Sequence, residues 1–488
     1  MKPERMSAAG TSGATRLVRF PARFAVLYPD DSNSLSDDTI SDVSAADLQA
    51  ELVRLRVELA SVRQQLVDTE KAFGRFVPRE FLHFLSIDNV RDVRLGMQTE
   101  RKLTILFADI RNFTGLSETM TPQENFDFLN SYLSQMEPMI VPFRGLIDKY
   151  IGDAIMALFP EGTDDAVRSA LAMLERLDNY NKGRARAGYL PIKVGIGINT
   201  GIVMLGTVGG SGRMEGTVIS DAVNLASRLE DMSKTFGVPL LVSEHTLHSL
   251  ADPTRYCIRF LARNRVKGKQ EAQSVYEVFD GDPPAIRVAK LRTRKRFEEA
   301  MAFYFVADIF RARTRLVRCL DENPEDTPAR LYLARCDEYL RNGHAEGIEE
   351  NELAQTWSED YSCGVADIDS YHRGMLSQMN ALAIAVRESR IRETEPIPAR
   401  IAREAVTQFE IEESLMQEAR YAFLAEHCHQ HRRFQENLAR LSGEIRSETE
   451  NPVYLAFRIK LLLMDWTINH SVKTDRHLGH HVRSRSGG

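Results

Sequence analysis

The sequence is poor in cysteine, lacks a long apolar run and carries little excess of either charge. Its five cysteines among 488 residues are scattered and odd in number, which excludes a disulfide framework and is typical of a reducing cytoplasm. No apolar run approaches the ~18–20 residues of a membrane-spanning helix, and residues 1–28 hold no apolar core followed by a cleavage site. We therefore expect neither a membrane anchor nor a secretory signal. The net charge of −6 argues against nucleic-acid binding through a strongly basic surface.

The residues that are present have the composition of a soluble globular protein. Hydrophobic residues make up 43% and charged residues 27% of the chain, and the length predicts about three domains. Histidine is unevenly distributed, since eight of the 12 histidines follow residue 357. This skew indicates a metal site in the last quarter of the chain.

The N-terminal part divides into a polar segment and a heptad pattern. Residues 1–46 have little to bury and are predicted to be disordered. Residues 47–75 are predicted to form a short coiled coil, because their apolar residues follow the 4-3-4-3-4 spacing of a heptad seam. The seam residues are Leu48, Leu52, Leu55, Leu59, Val62 and Leu66. The alternative is an amphipathic helix packed on its own domain.

Strand and helix patterns alternate over 76–280 and predict a mixed α/β domain. Apolar runs predict strands, and longer periodic segments predict helices. The predicted strands are 103–108, 154–159, 192–198 and 240–242, and the predicted helices are 122–139 and 164–180. Residues 280–284, Asp-Gly-Asp-Pro-Pro, have the composition of a linker.

The rest of the chain reads as helical. Residues 281–353 alternate in a way that resembles one and a half tetratricopeptide units, which predicts a connector packed on its neighbours, with peptide recruitment as the alternative. Residues 354–488 contain four predicted helices of about 20 residues joined by short segments, the pattern of an all-α four-helix bundle. Those helices are 369–389, 397–418, 424–447 and 452–474.

Two aspartates in the α/β region are candidate metal ligands. Asp109 ends the first predicted strand, where carboxylate and backbone donors suit Mg²⁺ and a phosphate chain. Asp153 follows Gly152 in a turn between two apolar runs, so we expect it to be exposed at a hairpin tip. Two carboxylates on adjacent strands could hold two divalent cations and organise an in-line attack on phosphorus, whereas either aspartate alone is more often a cap or turn residue.

The surroundings of these aspartates resemble a class III nucleotidyl cyclase catalytic domain. The matching segments are 103–115, 147–159, 195–201, 217–229 and 265–269, in the order of that family. The resemblance implies an α+β, ferredoxin-like domain in which Asp109, Ile110 and Asp153 hold two Mg²⁺ or Mn²⁺ ions.

The same resemblance implies a transition-state pair and substrate contacts. Asn224 and Arg228 match the family pair, and their spacing of four places both on one helix face. Arg228 would neutralise charge that develops on the α-phosphate, and Asn224 would orient the ribose. Lys269 matches the lysine that binds the terminal phosphates, with Lys267 as the alternative. The remaining substrate contacts implied are Phe113 and Thr114.

Two positions indicate the base. Lys149 stands where adenylyl cyclases carry lysine and guanylyl cyclases carry glutamate; an ammonium donates to adenine N1, whereas guanine presents N–H groups there. Together with Thr217, Lys149 resembles the adenylyl subgroup whose bacterial members often respond to bicarbonate. We therefore predict ATP as substrate, with guanylate cyclase activity as the nearer alternative.

Family active sites lie across a dimer interface. The resemblance implies that one chain supplies the metal aspartates and its partner supplies Lys149, Thr217, Asn224 and Arg228, so a homodimer has two equivalent sites. The sequence departs from its relatives before the Asn224 helix. Gly216 and Ser220 stand where relatives often have an aromatic residue and glycine, which would shift this loop.

The C-terminal region resembles a bacterial hemerythrin over about 357–478. The motifs are Trp357, residues 367–372, residues 412–416, His427-x3-His431-x2-Phe434 and Trp466-x3-His470-x4-Asp475. The resemblance implies non-haem iron, in the family pattern a di-iron site, held by His372, Glu412, His427, His431, His470 and Asp475. One position departs, because Gln408 stands where the family has histidine, which leaves two iron ions, one iron ion or a labile iron sensor open. His429, His477, His480 and His481 are given no ligand role.

These patterns predict a cytoplasmic, homodimeric adenylate cyclase regulated by a C-terminal iron-containing sensor of oxygen, redox state or iron. Its predicted partners are ATP and a second copy of the chain, with O₂ or bicarbonate as a possible effector and with no nucleic acid or membrane. A different class of function is a non-catalytic iron- or oxygen-binding protein that uses the cyclase fold to dimerise. The complete set of aspartates, lysine, asparagine and arginine argues against that alternative.

Overall fold

The computed structural model describes residues 45–73, 79–87, 89–210, 212–265, 272–344 and 353–486. The chain forms two compact units, Met1–Phe76 and Val77–Gly488. The described part of the first unit is one helix, α1 (Ala45–Phe73). The six apolar side chains of the predicted seam are all exposed along it, as a surface that pairs with a second helix would be. The pairing itself stays a prediction, and the segment 1–44 lies outside the described residues.

The second unit is built on one eight-stranded sheet. Its strands are β1 (Gln98–Ile110), β2 (Leu146–Ile151), β3 (Ala154–Phe159), β4 (Val194–Gly210), β5 (Arg213–Ile219), β6 (Leu240–Ser243), β7 (Ile258–Arg265) and β8 (Ala272–Val278). The strand order is β2-β3-β1-β4-β6-β8-β7, and β5 pairs with the far end of β4. β4 and β6 are parallel, and all other pairs are antiparallel.

Both faces of the sheet are covered, because side chains along a strand point alternately to opposite faces. On β1, Leu106, Ala108 and Ile110 contribute to the larger core, and Leu103 and Ile105 contribute to a smaller core on the other face. The helices of this part are α2 (Arg79–Phe84), α3 (Phe113–Ser117), α4 (Pro122–Met136), α5 (Thr163–Arg186), α6 (Asp221–Phe236) and α7 (Glu244–Ser249). Short 3₁₀ turns are Val90–Asp92, Glu137–Met139, Val141–Phe143 and Pro253–Arg255.

Local sequence explains where the longer helices begin and end. α4 starts with a capping box, in which the Thr121 side chain accepts from the Glu124 backbone and the Glu124 side chain accepts from the Thr121 backbone. α6 begins after Ser220, whose side chain accepts from Ala222 N, and ends at Gly237, whose φ is +69°. α6 lies close on β4, since a Cβ on Gly197 would lie 2.3 Å from Glu230 N.

The predicted elements agree with the structure where the apolar pattern was long. β3 has the predicted bounds, and the predicted helices correspond to α4 with its following 3₁₀ turn and to α5. β2, β5, β7 and β8 were not predicted. Polar residues interrupt the apolar pattern of these strands, and this includes buried ones such as Arg259 on β7 and Glu277 on β8, so the apolar periodicity that identifies a strand is weak there.

Three helices follow the sheet and form the connector. They are α8 (Pro284–Phe305), α9 (Ile309–Glu322) and α10 (Thr327–Asn342). A buried ion-pair network joins them to the sheet. Arg259 on β7 donates to Glu277 Oε2 at 2.6 Å and to both oxygens of Asp326, at 2.7 and 2.9 Å, and Lys290 donates to Glu277 Oε1 at 2.6 Å.

The C-terminal region is helical from residue 366 onward. Its elements are α11 (Ala366–Arg387), α12 (Ile391–Thr394), α13 (Pro396–Glu418), α14 (Leu424–Ser447), α15 (Pro452–Ile459), α16 (Asp465–Asn469) and α17 (Arg476–Ser486), with a 3₁₀ turn at Glu359–Tyr361 and π-helical turns at Lys460–Met464 and His470–Asp475. α15 to α17 and the two π-turns run on without interruption. The long helices pack in a ring, in which α11 contacts α13 and α15, and α14 contacts α13 and α15.

Among the described residues, no helix is both long enough and apolar enough to cross a membrane.

Candidate functional site

Asp109 and Asp153 come together at one end of the sheet. Asp109 is the second-to-last residue of β1, and Asp153 lies in the turn between β2 and β3, where Gly152 has a φ of +65°. β1 pairs with β3 so that Ala108 faces Ile155, which brings the carboxyls of Asp109 and Asp153 close together. Burial, and after it the neighbouring Asp109 carboxyl, raises the pKa of Asp153 to about 7. Asp153 is half-buried, not exposed as predicted. Two carboxylates in contact repel each other unless a proton or a cation lies between them.

A lysine not identified from the sequence contacts this pair. Lys234, near the end of α6, places Nζ 2.9 Å from Asp109 Oδ2 and 3.4 Å from Glu230 Oε2. Glu230 is buried, and burial raises its pKa to about 7 although Lys234 opposes the rise. The sequence contained no usable signal for Lys234, because a lysine in the last turn of a helix is a common charge partner of the helix dipole.

The residues next to Asp109 have separate structural roles. The Ile110 side chain is buried, and its backbone N–H, which lies beside Asp153, opposes the rise in the pKa of that carboxyl. Phe113 stacks on Phe128 at a centroid distance of 6.3 Å and packs against the larger core, whereas Thr114 is exposed. The substrate contacts predicted for Phe113 and Thr114 stay predictions.

Asn224 and Arg228 lie on the first two turns of α6, and both are exposed. They line a cleft of about 1080 Å³ between the sheet and the helical C-terminal region. Asp109 and Asp153 do not line this cleft; Asp109 contacts the other end of α6 through Lys234. One chain thus holds the two predicted halves of the cyclase site at separate places.

The two residues predicted to select the base, Lys149 and Thr217, lie on different strands that come close to each other. Lys149 on β2 is about one-third exposed, with Nζ 3.6 Å from Glu215 Oε1 on β5 and 3.5 Å from Asp148 Oδ2. Thr217 is half-buried two residues beyond Glu215 on the same strand. Lys267 and Lys269 lie outside the described residues.

The two departures before α6 each have a structural explanation. The ring of Phe81 on α2 occupies the space beside Gly216, where a Cβ would lie 2.7 Å from Phe81 Cε1. An aromatic ring therefore lies at this position even though residue 216 has no side chain. Ser220 caps α6 and donates to Ile202 O at 2.7 Å, so it fixes the loop that was predicted to shift.

The helical C-terminal region brings together all six residues predicted to bind iron. Ligand atoms of Glu412, His427, His431 and His470 lie within 4.8 Å of one another, as do those of His372, Glu412 and Asp475. Glu412 Oε2 lies 3.0 Å from His431 Nε2 and 3.3 Å from His427 Nε2, and Asp475 Oδ1 lies 3.1 Å from both His427 Nε2 and His470 Nε2. We call these six residues the histidine–carboxylate cluster.

Several cluster atoms are buried without ordinary partners. Every cluster residue is at most 2% exposed. Both oxygens of Asp475 and both ring nitrogens of His372 lack a hydrogen bond of normal geometry within the described part of the chain. Burial alone would raise the pKa of Glu412, but hydrogen bonds from His427 and His431 hold it well below its usual range. Buried imidazoles around ionised carboxylates fit a bound cation.

Outer hydrogen bonds orient two of the imidazoles. His470 Nδ1 lies 2.9 Å from Gln430 Oε1, and His431 Nδ1 lies 3.0 Å from Glu413 Oε1. Both rings therefore present Nε2 to the cluster, the arrangement that acceptors on Nδ1 impose on metal-bound histidines.

A π-helical turn aligns His470 with Asp475. Residues five apart on an α-helix point about 140° apart, which would prevent them from sharing a ligand site. The turn His470–Asp475 is π-helical, with hydrogen bonds from i to i+5, a form often found at functional sites. His470 Nε2 consequently lies 3.1 Å from Asp475 Oδ1.

Gln408 lies where the resemblance implies a histidine. It is fully buried one turn before Glu412, donates from Nε2 to Glu412 Oε1 at 2.6 Å, and its own Oε1 has no partner in the described residues. The amide thus occupies one oxygen of the shared carboxylate. Most of the candidate metal ligands therefore lie on the side of the cluster that holds His427, His431 and His470.

Comparison with known proteins concerns the sheet-containing part. Residues 95–278 match the family described as adenylate and guanylate cyclase catalytic domain. An adenylate cyclase of Anabaena cylindrica is 44% identical over 220 residues, 44% of this chain and 44% of that protein. A terminal-differentiation-specific adenylate cyclase of Dictyostelium discoideum is 34% identical over 292 residues, 59% of this chain and 14% of that protein. The chain thus spans less than half the length of these relatives.

Among solved structures, the adenylyl cyclase CyaB from P. aeruginosa is 31% identical. The two structures superpose with a TM-score of 0.34. The match covers 38% of this chain and 96% of the other.

Proposed function

Residues 95–278 form a catalytic domain of the adenylate and guanylate cyclase family, and from this premise we propose that the chain is an adenylate cyclase that converts ATP to 3′,5′-cyclic AMP and pyrophosphate. The observation that carries the proposal is that the pairing of β1 with β3 places Asp109 and Asp153 beside each other at one end of the sheet. It occurs in a chain that is 44% identical over 220 residues to a protein named adenylate cyclase.

The proposed reaction is an in-line attack of the ribose 3′-hydroxyl on the α-phosphate. Asp109 and Asp153, with Ile110 beside them, would hold two divalent cations, which supply activation of the hydroxyl and charge neutralisation at phosphate oxygens. Arg228 would stabilise the negative charge that develops on the α-phosphate, and Asn224 would orient the ribose. Lys269 would bind the terminal phosphates, and Phe113 and Thr114 would border them.

The base would be recognised by Lys149 and Thr217. The Lys149 ammonium can donate to the adenine N1 acceptor, whereas guanine presents a donor at that place. Glu215, 3.6 Å from Lys149 Nζ, would hold the ammonium in position.

The proposed enzyme is a homodimer with two sites. Asn224 and Arg228 lie at the cleft, away from the Asp109–Asp153 pair of the same chain, so a second copy is the natural source of the missing half of each site. The exposed apolar seam of α1 supports a parallel coiled coil that adds to this dimer.

The helical C-terminal region is proposed to be a hemerythrin-like four-helix bundle that binds non-haem iron and regulates the cyclase. The support is the set of six buried ligands in the order the resemblance implies. Oxygen, redox state or iron occupancy would be the signal. Because Gln408 occupies one oxygen of Glu412, we propose that the iron held by His427, His431 and His470 is the tighter one.

The test is the formation of cyclic nucleotide from ATP and from GTP, with Mg²⁺ or Mn²⁺, by the full-length chain beside its Asp153→Ala variant. Product from ATP alone, lost in the variant, is the expected result. Product from GTP at a comparable rate would replace the adenylate assignment with a guanylate one. Absence of product from both, in iron-loaded and iron-free protein, would overturn the enzyme assignment.

A further inference from the structure

Polar contacts join the helical C-terminal region directly to the cyclase domain. We call this set the docking interface. On the cyclase side it consists of Lys102, Glu244, His245, Ser249 and Arg263, and on the helical side of Glu426, Asp465, Asn469 and Lys473. The connector α8–α10 is therefore not the sole physical link between the two regions.

The first contact begins one residue before a cluster histidine. Glu426 precedes His427 on α14 and forms an ion pair with Lys102, whose Nζ also donates to Ser249 Oγ at 3.1 Å. Lys102 lies on β1, the strand that carries Asp109 near its end. Burial lowers the pKa of Lys102, although Glu426 opposes this. The ion pair is only partly enclosed, since the Glu426 side chain is 32% exposed, and it joins α14 directly to β1.

The second contact begins one residue before another cluster histidine. Asn469 precedes His470 and donates from Nδ2 to Glu244 Oε1 at the start of α7, while Glu244 Oε2 accepts from Ser274 N on β8 at 3.0 Å. One turn farther along the same helix, Lys473 Nζ lies 2.6 Å from His245 Nε2. Glu244 and His245 of the cyclase domain thus both contact the helix that carries His470 and Asp475.

The docking interface also borders the substrate half-site. The cleft of about 1080 Å³ has Asn224 and Arg228 on its cyclase wall and His427, His470 and Trp466 on its helical wall, with Lys102, Glu244 and Glu426 between them. A change in the position of the cluster histidines therefore reaches residues that face the same cleft as the transition-state pair.

We propose that Glu426 and Asn469 are positioning residues that transmit the metal occupancy of the histidine–carboxylate cluster to the cyclase domain, through Lys102 on β1 and Glu244 on α7. The proposal rests on the proposed cyclase activity and specifies its regulation. His427 and His470 lie 3.1–3.3 Å from the Glu412 and Asp475 carboxylates, and a bound ion would take the place of these direct contacts. The residues adjacent to the two histidines are fixed to the cyclase domain. By linkage the coupling is reciprocal, so the docking interface also influences how tightly the metal binds.

The experiment compares full-length wild type, Glu426→Gln/Asn469→Ala and two controls, each iron-free or loaded with Fe²⁺ under anaerobic conditions. Gln435→Ala changes an exposed residue of α14. Tyr454→Phe removes the hydroxyl that donates to Glu298 Oε2 of the connector at 2.7 Å. Iron content, the ratio of loaded to iron-free cyclase rates, and hydrogen exchange of peptides covering 98–110 and 244–249 are measured for each.

In wild type and Gln435→Ala we expect the two rates to differ about 5-fold or more and the exchange of both peptides to change on loading. In Glu426→Gln/Asn469→Ala we expect the iron-free rate to be unchanged, the rate ratio to fall toward one and the exchange difference to disappear while iron still binds. A double variant that keeps the wild-type ratio and exchange response overturns the proposal. So does a response lost only in Tyr454→Phe, which would assign the coupling to the connector.

The measurements distinguish a failure of this inference from a failure of the proposed cyclase activity. A wild-type chain that binds iron and changes its exchange but makes no cyclic nucleotide contradicts the cyclase assignment and leaves the docking interface supported. A wild-type chain that makes cyclic AMP at the same rate with and without iron, with no change in exchange, contradicts the coupling alone.

Discussion

The two candidate metal sites of this protein are built in opposite ways. Asp109 and Asp153 are half-buried at one end of the sheet, and the residues proposed to complete their site, Asn224 and Arg228, face a different cleft of the same chain. The histidine–carboxylate cluster has all six residues in one chain, each at most 2% exposed.

The difference follows from what each site would bind. A site for a nucleotide must admit a large polar molecule and release two products, which favours an open half-site that is completed by another surface. A site that retains a metal ion gains from enclosure, since low dielectric strengthens the attraction between the ion and its carboxylates. The comparison teaches that the two sets of metal-binding residue types differ in burial and completeness, and it is this difference that favours a catalytic proposal for the first and a metal-retaining one for the second.

The largest expected effect comes from changing one residue in each proposed half of the cyclase site, Asp153 and Arg228, in separate chains. Asp153→Ala and Arg228→Ala should each lower cyclic AMP formation by roughly 10²–10³-fold, because each removes charge stabilisation from both sites of a dimer. When the two variant chains are co-expressed, about a quarter of the wild-type rate should return. Half of the randomly paired dimers contain one chain of each kind, and each of these has one intact site out of two. Cyclic AMP formation after co-expression measures this.

The matched control pairs Asp109→Ala with Asp153→Ala, two changes in the same half-site, which should give no recovery. Recovery in the control, or none in the test pair, would show that the site does not lie across two chains. The same mixing applied to His431→Ala and Glu412→Ala should restore no iron binding, because the buried cluster draws all its ligands from one chain.

The next effect concerns Glu244, which lies between the two regions. Burial, with Asp465 adding to it, raises the pKa of Glu244 from 4.5 to about 7. A raised folded-state pKa gives stability that is complete below the unfolded value and is lost as pH rises through the folded one. The free energy of unfolding of the wild type should therefore fall by roughly 2–3 kcal/mol through Glu244 between pH 4.5 and pH 8. In Glu244→Gln this fall should be absent.

Urea denaturation of both proteins across that pH range checks this prediction. Asn469 can accommodate the variant, because its Oδ1 has no hydrogen-bond partner among the described residues and can accept from the new amide. Parallel pH profiles for the two proteins would mean that Glu244 ionises normally in the folded chain.

A smaller effect is expected from the outer hydrogen bonds of the cluster. Glu413 accepts from His431 Nδ1 at 3.0 Å, so Glu413→Gln should weaken iron binding by about 10–100-fold while every direct ligand stays in place. Competition with a chelator measures the affinity. Glu410→Gln, an exposed change on the same helix, is the control, and equal iron affinity for both variants would argue against an orienting role for Glu413.

The smallest effect is expected from the seam of α1. Leu52→Ser/Leu59→Ser changes exposed side chains, so the free energy of unfolding should move by no more than about 0.5 kcal/mol. Cyclic AMP formation per chain should nevertheless fall on dilution, because the coiled coil adds only to dimer stability. Iron binding should not change. A rate per chain that is independent of concentration in both proteins would exclude a contribution of the seam to dimerisation.

Much of the molecule could be predicted from the sequence. The cyclase catalytic domain, recognised from segments around Asp109, Asp153 and Asn224, is confirmed by the match over 95–278, and the helical character of the C-terminal region is confirmed by its helices. The iron, the hemerythrin-like architecture, the dimer and the role of each site residue stay predictions.

The sequence by itself determined residue types and local spacings: an aspartate at the end of an apolar strand, a second one in a glycine turn, and His427 and His431 four residues apart. These depend on the helix and strand periods, which act within a few residues. Only the tertiary structure decided that Lys234 contacts Asp109, that Phe81 lies beside Gly216, that a π-turn brings His470 to Asp475, and that Glu426 and Asn469 bind the cyclase domain. Such contacts join residues whose distance along the chain carries no information about their distance in space, because side-chain packing and burial over the whole unit determine which of them meet.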